Sequence, residues 1–256
     1  MDVQRIEQAA RFLLEARKAR RPGDRIPESA RPHDTADALA IQRRVTATLG
    51  LAVGGWKCSL PVEPRPVSMA PIYAPAIVRS SPCPILPIAG KARVEPEVAF
   101  VMGRDLTRAA HSYTEAEVRD AIAETRLVLE LIGPRYADPA SVPFVEMLAD
   151  NVANQGLYVG PVVNDALDRA LSTLAIVVDD AGRTIHTADG RHPDGHPLRP
   201  LVWLASFLAQ RGDGLRAGQI VTTGSYCGVV DVPLDAALRF KFGDLGVLPV
   251  TFHAAA

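Results

Sequence analysis

Cysteine is scarce in this chain. Three occur in 256 residues, Cys58, Cys83 and Cys227, odd in number and widely spaced. That excludes a disulfide framework and a zinc knuckle built on cysteine pairs. Net charge is equally scarce, since 28 basic residues face 29 acidic ones for a formal charge of -1. A chain so balanced has no electrostatic reason to bind nucleic acid or an acidic membrane surface. Long hydrophobic runs are missing too. The charge-free apolar stretches at 66–78 and 200–210 fall short of the ~20 residues that span a bilayer, and prolines interrupt the first. Asp2, Arg5 and Glu7 are followed by no apolar h-region, so no secretory signal is expected. A chain of this length buries roughly 70–75% of its unfolded surface, so it needs neither metal nor disulfide to hold a core. The expectation is a globular, cytoplasmic protein with no nucleic-acid and no membrane partner.

Proline and glycine, by contrast, are plentiful at 21 and 19, and they cut the sequence into short elements. Val3, Ile6, Ala10, Leu13 and Leu14 recur at helical steps and predict a helix over 2–20. The basic run 17–21 favours its C-terminal end, and Pro22-Gly23 stops it. Ala38, Ile41, Gln42, Val45 and Leu49 predict a second helix over 34–49, closed by Gly50. Residues 53–60 read as a strand, and the proline-rich 61–87 as ordered loop or short extended pieces. Further strands are expected at 92–102, 126–132, 155–160, 172–179, 219–223, 237–242 and 247–253, with a hairpin from 172–179 into 184–187. Thr114-Glu115-Ala116-Glu117 is a capping box opening a short helix to about 124, and 196–210 is a helix by its Leu198, Leu201, Val202, Ala205 and Leu208 face. Strands outnumber helices without regular alternation, which predicts an α+β fold: a helical N-terminal part over 1–60 and a β-rich body over 61–256.

The chemistry-bearing stretch is Val94-Glu95-Pro96-Glu97-Val98-Ala99-Phe100. In an extended chain side chains alternate, so Glu95 and Glu97 project from one face and repel each other. A hard divalent cation would offset that repulsion, whereas a solvated edge strand would merely tolerate it. Glu130 lies in Leu127-Val128-Leu129-Glu130-Leu131-Ile132, where every neighbour is apolar. A glutamate is almost never fully buried unless paired or bound to metal. Lys57, in Gly54-Gly55-Trp56-Lys57-Cys58, is the lone charge between Arg44 and Glu63 and a candidate partner for a substrate carboxylate.

From about residue 36 onward the chain resembles the 2-keto-4-pentenoate hydratase / 4-oxalocrotonate decarboxylase group of the fumarylacetoacetate hydrolase superfamily. The resemblance rests on the segments above and on Arg135-Tyr136, Ala149-Asp150-Asn151, Gly195-His196-Pro197-Leu198 with Val202-Trp203-Leu204-Ala205, and Leu215 through Gly224. Each segment is weak alone, and their order and spacing together are specific. The resemblance implies a fumarylacetoacetate-hydrolase-like mixed-sheet body. It implies that Glu95, Glu97 and Glu130 hold Mg²⁺ or Mn²⁺, that Lys57, Tyr73 and Asp150 are catalytic, and that Trp56, Leu60, Thr223 and Gly224 line the substrate. It further implies a lyase acting on a small 2-oxo or 2-hydroxydienoic acid in aromatic meta-cleavage catabolism. The expected assembly is a homo-oligomer, or a hetero-oligomer with a related lyase.

Hydration and decarboxylation both pass through a dienolate, so one site serves either reaction, and hydration is the commoner in the group. Three departures bear on the choice. Pro71-Ile72-Tyr73-Ala74 stands where hydratases of the group usually carry Pro-Asp-Phe-Gly, removing the acid expected to serve the added water and resembling the decarboxylase branch. Lys57-Cys58-Ser59-Leu60-Pro61 departs from the usual Lys-[Ile/Val/Met]-Gly-Leu-Thr. Residues 188–194 replace a serine-containing segment. These changes keep open a catalytically silent partner subunit; hydrolysis of a diketo acid lacks its His-Glu dyad here. His196 is expected to cap its helix, and Cys58 and Cys227 to pack.

Overall fold

The computed structural model describes residues 1–107 and 111–255. The N-terminal part is two packed helices, α1 (Val3–Ala19) and α2 (Thr35–Leu49). Asp2 caps α1 by accepting the Arg5 amide at 2.9 Å, and Asp34 caps α2 through the Asp37 amide at 2.9 Å. Gly50 ends α2 in the left-handed conformation, whereas α1 ends on Arg20 at φ 52°, before Pro22-Gly23.

The strands follow in chain order: β1 (Val53–Ser59), β2 (Ser68–Tyr73), β3 (Ile77–Val78), β4 (Cys83–Ile85), β5 (Lys91–Met102), β6 (Ile122–Ile132) and β7 (Asn154–Val162). Then come β8 (Thr173–Asp180), β9 (Arg183–Arg191), β10 (Ile220–Thr222), β11 (Val230–Pro233), β12 (Leu238–Phe242), β13 (Gly246–Val250) and β14 (Phe252–Ala254). Between them lie α3 (Glu115–Arg119), α4 (Phe144–Ala149) and α5 (Leu198–Gln210). The capping box at Thr114 forms, but α3 stops at Arg119 because the chain enters β6 at Ile122 and its ladder with β5 takes over the backbone bonds. Within the proline-rich 61–87, β2 is longer than expected. It lies at the sheet edge, where Pro71 costs no interior ladder bond.

The main mixed sheet runs β2-β1-β10-β5-β6-β7-β3, with β11 added alongside β5. A second sheet, β13-β12-β8-β9, contains the expected hairpin, and β14 pairs parallel with β4. The register of the main sheet decides what its two faces carry. Lys57 stands opposite Ala70 and Thr222, Thr222 opposite Ala99, Glu97 opposite Val128, and Glu95 opposite Glu130. Directly opposed residues share a face, so Lys57, Thr222, Glu95, Glu97 and Glu130 all belong to one side. The same side carries a small apolar cluster of Ile72, Ala99, Val128, Leu157, Val159 and Ile220. Each large member contributes about 1.5–3 kcal/mol through burial. The other side, through Val94, Val98, Phe100, Leu127, Leu129 and Leu131, packs into the principal core with the helices and the second sheet. β5 is therefore not an edge strand, and its acids are not solvated by default.

Candidate metal and active site

β5 and β6 bring the three sequence-predicted acids together. Oxygen atoms of Glu95, Glu97 and Glu130 lie within 4.8 Å of one another, with Glu97 and Glu130 buried and Glu95 half-buried. Side-chain alternation along β5 places the first two on one face, and the Glu95–Glu130 register brings in the third.

Each buried carboxylate is fixed through one oxygen. Glu97 Oε2 accepts the Thr222 hydroxyl and the Gly224 amide, the latter at 2.8 Å. Glu130 Oε1 accepts Lys57 Nζ at 2.5 Å and Asn154 Nδ2 at 2.9 Å. Lys57 also donates to the Val152 carbonyl at 3.2 Å. Three carboxylates against one ammonium leave a formal excess of two negative charges in a poorly solvated space. The consequence shows in their proton affinities. Burial, with Glu130 adding repulsion, pushes Glu95 up to about 7. Burial, with Glu130 and Glu95, pushes Glu97 up to about 8 despite its hydrogen bonds. Burial works against charge on Lys57, but Glu130, Glu95 and Glu97 outweigh it and raise its pKa, so Lys57 is an ammonium at neutral pH. An all-oxygen donor set with unspent negative charge and a free oxygen on each fixed carboxylate suits a hard divalent cation.

The turn that faces Lys57 is strained. Asn151, Val152 and Ala153 are consecutive non-glycine residues with φ of 57°, 49° and 58°. Left-handed backbone is disfavoured for a β-branched valine, yet it is this conformation that turns the Val152 carbonyl onto Lys57. The turn is pinned at its start. Arg135 Nε meets both oxygens of the fully buried Asp150, at 2.7 and 2.8 Å, and Arg17 Nη2 reaches Asp150 Oδ1 at 3.3 Å. Arg135 then donates to the Asn154 carbonyl at 2.8 Å, continuing toward the residue that holds Glu130.

Of the residues expected at the site, Lys57, Glu95, Glu97, Glu130 and Gly224 are brought together. Thr223 is buried beside them, its hydroxyl 3.5 Å from His192 Nε2. Leu60 is half-buried, and its amide is held by Asp194 Oδ2 at 2.9 Å. Trp56, Tyr73 and Asp150 take other partners. Trp56 lies on the opposite face of β1 from Lys57 and donates to Gln219 at 3.3 Å. Tyr73 alternates out from Ile72, and its hydroxyl meets Thr46 Oγ1 of α2 at 3.0 Å and Asn151 Nδ2 at 3.4 Å. Asp150, saturated by two arginines, orders the turn behind Lys57. Thr222, Asn154, His192 and Asp194 were not singled out from sequence. Thr222 could have been found, because alternation on a strand ending at Thr223 puts it on the Ile220 face; the others depend on loops whose course the sequence does not disclose. His196 Nδ1 accepts the Leu198 amide at 3.2 Å from one residue outside the N-cap position, which Pro197 occupies without a side-chain cap. Burial raises the Cys58 thiol well above its ordinary range, and the thiol donates to the Pro200 carbonyl at 3.5 Å.

Residues 64–251 match the family model described as fumarylacetoacetate (FAA) hydrolase C-terminal. The chain is 30% identical over 272 residues to a 2-keto-4-pentenoate hydratase of Paraburkholderia xenovorans (strain LB400), covering 99% of this chain and 97% of that one. It is 30% identical over 157 residues to a 4-oxalocrotonate decarboxylase of a Pseudomonas species, covering 61% and 59%. Among solved structures, the 4-oxalocrotonate decarboxylase of Pseudomonas putida G7, complexed with magnesium and adipate, superposes with a TM-score of 0.79 at 20% identity over 99% of both chains. No helix among the described residues is long and apolar enough to cross a membrane. By the match over most of its length and the full-length similarity to a hydratase, the chain belongs to the fumarylacetoacetate hydrolase family.

Proposed function

We propose that this protein is a divalent-metal-dependent lyase that hydrates a short 2-hydroxy-2,4-dienoate, of the 2-keto-4-pentenoate type, to a 4-hydroxy-2-oxo acid in aromatic meta-cleavage catabolism. The observation that carries the reading is the convergence of Glu95, Glu97 and Glu130 with a protonated Lys57 on one face of the sheet. Full-length similarity to a 2-keto-4-pentenoate hydratase supports the reaction class.

The three glutamates would hold Mg²⁺ or Mn²⁺, which when bound supplies Lewis-acid stabilisation of a 2-oxo acid's enolate. The chain's own groups account for the remaining requirements. Thr222 and the Gly224 amide fix Glu97 through one oxygen and leave the other to the site. Lys57 holds a proton at Nζ, attracts an anionic substrate, and is the group placed to exchange a proton with the dienol during tautomerisation. The strained Val152 carbonyl accepts from that ammonium, and Asn154 holds the Glu130 carboxylate it pairs with. The apolar cluster around Ile72, Val128 and Leu157 closes the same face to water. Trp56, Tyr73 and Asp150 act in this reading by positioning the strands and the turn that carry Lys57.

Decarboxylation is the second reading, and a specific observation favours it. Ile72, which replaces the aspartate usual in hydratases, is fully buried on the same face as Lys57, so that position offers an added water no base. The family reading also brings a cytoplasmic location and a homo-oligomer, with a related lyase as the alternative partner. Incubation with Mg²⁺ and 2-hydroxypenta-2,4-dienoate should consume the dienol and yield 4-hydroxy-2-oxopentanoate. Release of CO₂ from 2-oxohex-3-enedioate instead would select the second reading. Binding of both compounds without turnover would reject the lyase and leave a silent subunit.

A further inference from the structure

At the end of β6, on the face opposite Glu130, lies a cavity of about 470 Å³ between the end of α1, the 84–88 segment and the turn after β6. Leu131, which alternates away from Glu130, lines it, and Glu95, Glu97 and Glu130 do not. Its volume falls in the range of small-molecule sites. Its lining includes Arg17, Arg20, Arg21, Arg135 and His253, and among the described residues no aspartate or glutamate lines it. Val78, Ile85, Ile88 and Leu131 add apolar lining.

The basic lining is short of partners. Asp150 is the one carboxylate that serves both Arg135 and Arg17, and Arg135 takes most of it, bonding both oxygens while Arg17 keeps one contact at 3.3 Å. Among the described residues, Arg17 Nε is buried with no hydrogen-bond partner, and so is His253 Nδ1; both residues line this cavity. A buried polar atom without a partner is rare in folded proteins, and for the Arg17 Nε–H the missing partner is an acceptor. Burial and the neighbouring Arg135 lower Arg17 to about 10, which still leaves it charged at neutral pH.

We infer that this cavity is a binding site for a small organic carboxylate, separate from the glutamate cluster: the carboxylate accepts from the Arg17 guanidinium and from His253 in its Nδ1–H tautomer, and an apolar body rests on Ile85, Ile88 and Leu131. Arg20 and Arg21 at the exposed end of α1 draw the anion in. An inorganic anion would satisfy the arginines but leave the apolar lining wet, and a neutral ligand would leave the donors unpaired, so both should bind worse than an amphipathic carboxylate.

Benzoate is a suitable probe, titrated calorimetrically into the intact protein with and without Mg²⁺. One benzoate per chain should bind in both conditions, with benzamide and inorganic phosphate at least tenfold weaker. Arg17→Gln should weaken benzoate at least tenfold. Arg21→Glu, an exposed change that does not threaten folding, should weaken it severalfold while leaving turnover of the dienoate unchanged. Absence of benzoate binding, binding indifferent to both substitutions, or binding that requires Mg²⁺ would overturn the inference, the last by placing the anion at the glutamate cluster. Because the metal-free arm does not use that cluster, failure of the lyase reading would leave this result standing.

Discussion

Lys57 is the residue on which the electrostatics of the candidate site turn. Among the described residues it is the single cation paired with the three carboxylates, and its contact with Glu130 at 2.5 Å keeps the cluster from carrying its full charge unaided. Replacing it by methionine preserves the length of the stem but removes the charge. Turnover of a dienoate should fall on the order of 10²-fold, while the protein's thermal stabilisation by Mg²⁺ should become larger than in the parent, because the cation then faces three unopposed carboxylates. A Lys57→Met protein with near-parental turnover would remove Lys57 from the chemistry. His192 offers a separate test through pH. Burial, helped by the charge of His196, lowers it to about 4 from the ordinary 6.5. A histidine with a lowered pKa stays neutral in the fold while the unfolded chain takes up the proton. Its presence therefore costs nothing above pH 6.5, and stability falls as pH drops from there toward 4, by on the order of 2–3 kcal/mol. Urea unfolding of His192→Gln between pH 7 and 4.5 should show a shallower decline than the parent; parallel curves would contradict the assignment.

At the scale of elements, the three-residue left-handed turn after α4 matters most. Asp150 fixes its start through Arg135 and Arg17, and Val152 delivers its carbonyl to Lys57. Val152→Gly relieves a disfavoured conformation and should raise stability by about 1 kcal/mol. It should also lower turnover, because the carbonyl that steadies Lys57 is no longer held. Asp150→Asn leaves the buried Arg135 and the half-buried Arg17 without a counter-charge and should destabilise by about 3–5 kcal/mol, yet the folded protein should keep its metal affinity. Thermal unfolding and metal titration of the two variants separate these effects. Loss of metal binding in folded Asp150→Asn would show that Asp150 reaches the cluster itself. This turn also marks where the sequence stops being legible. Glu95, Glu97 and Glu130 announce themselves, because paired acids in a strand and a charge in an apolar run conflict with folding alone. Strand alternation then supplies their shared face. Asp150-Asn151 is compatible with a turn, since asparagine tolerates left-handed backbone, but Val152 disfavours continuing it, and neither α4 nor β11 carries enough periodicity to be read in six and four residues.

For the molecule as a whole, the register of the curled sheet converts two separate segments into one site. Hydrophobic patterning gave the helices and most strands, and the helix-to-strand imbalance pointed to an α+β body. Which strands neighbour which is a different matter: β1 lies between β2 and β10 although some 160 residues separate β1 from β10, and no local signal encodes that. Trp56 and Tyr73 illustrate the cost, since being next to a site residue in sequence put them on the other face in space. The sharpest test of the whole account is the number and affinity of divalent ions bound. Calorimetric titration of Mn²⁺ into the metal-free protein should give one ion per chain, and Glu95→Gln, Glu97→Gln and Glu130→Gln should each weaken it at least tenfold, about 1.4 kcal/mol, with the fold retained. An unchanged affinity in any folded single variant, or no bound ion in the parent, would contradict the claim that these three carboxylates form one metal centre.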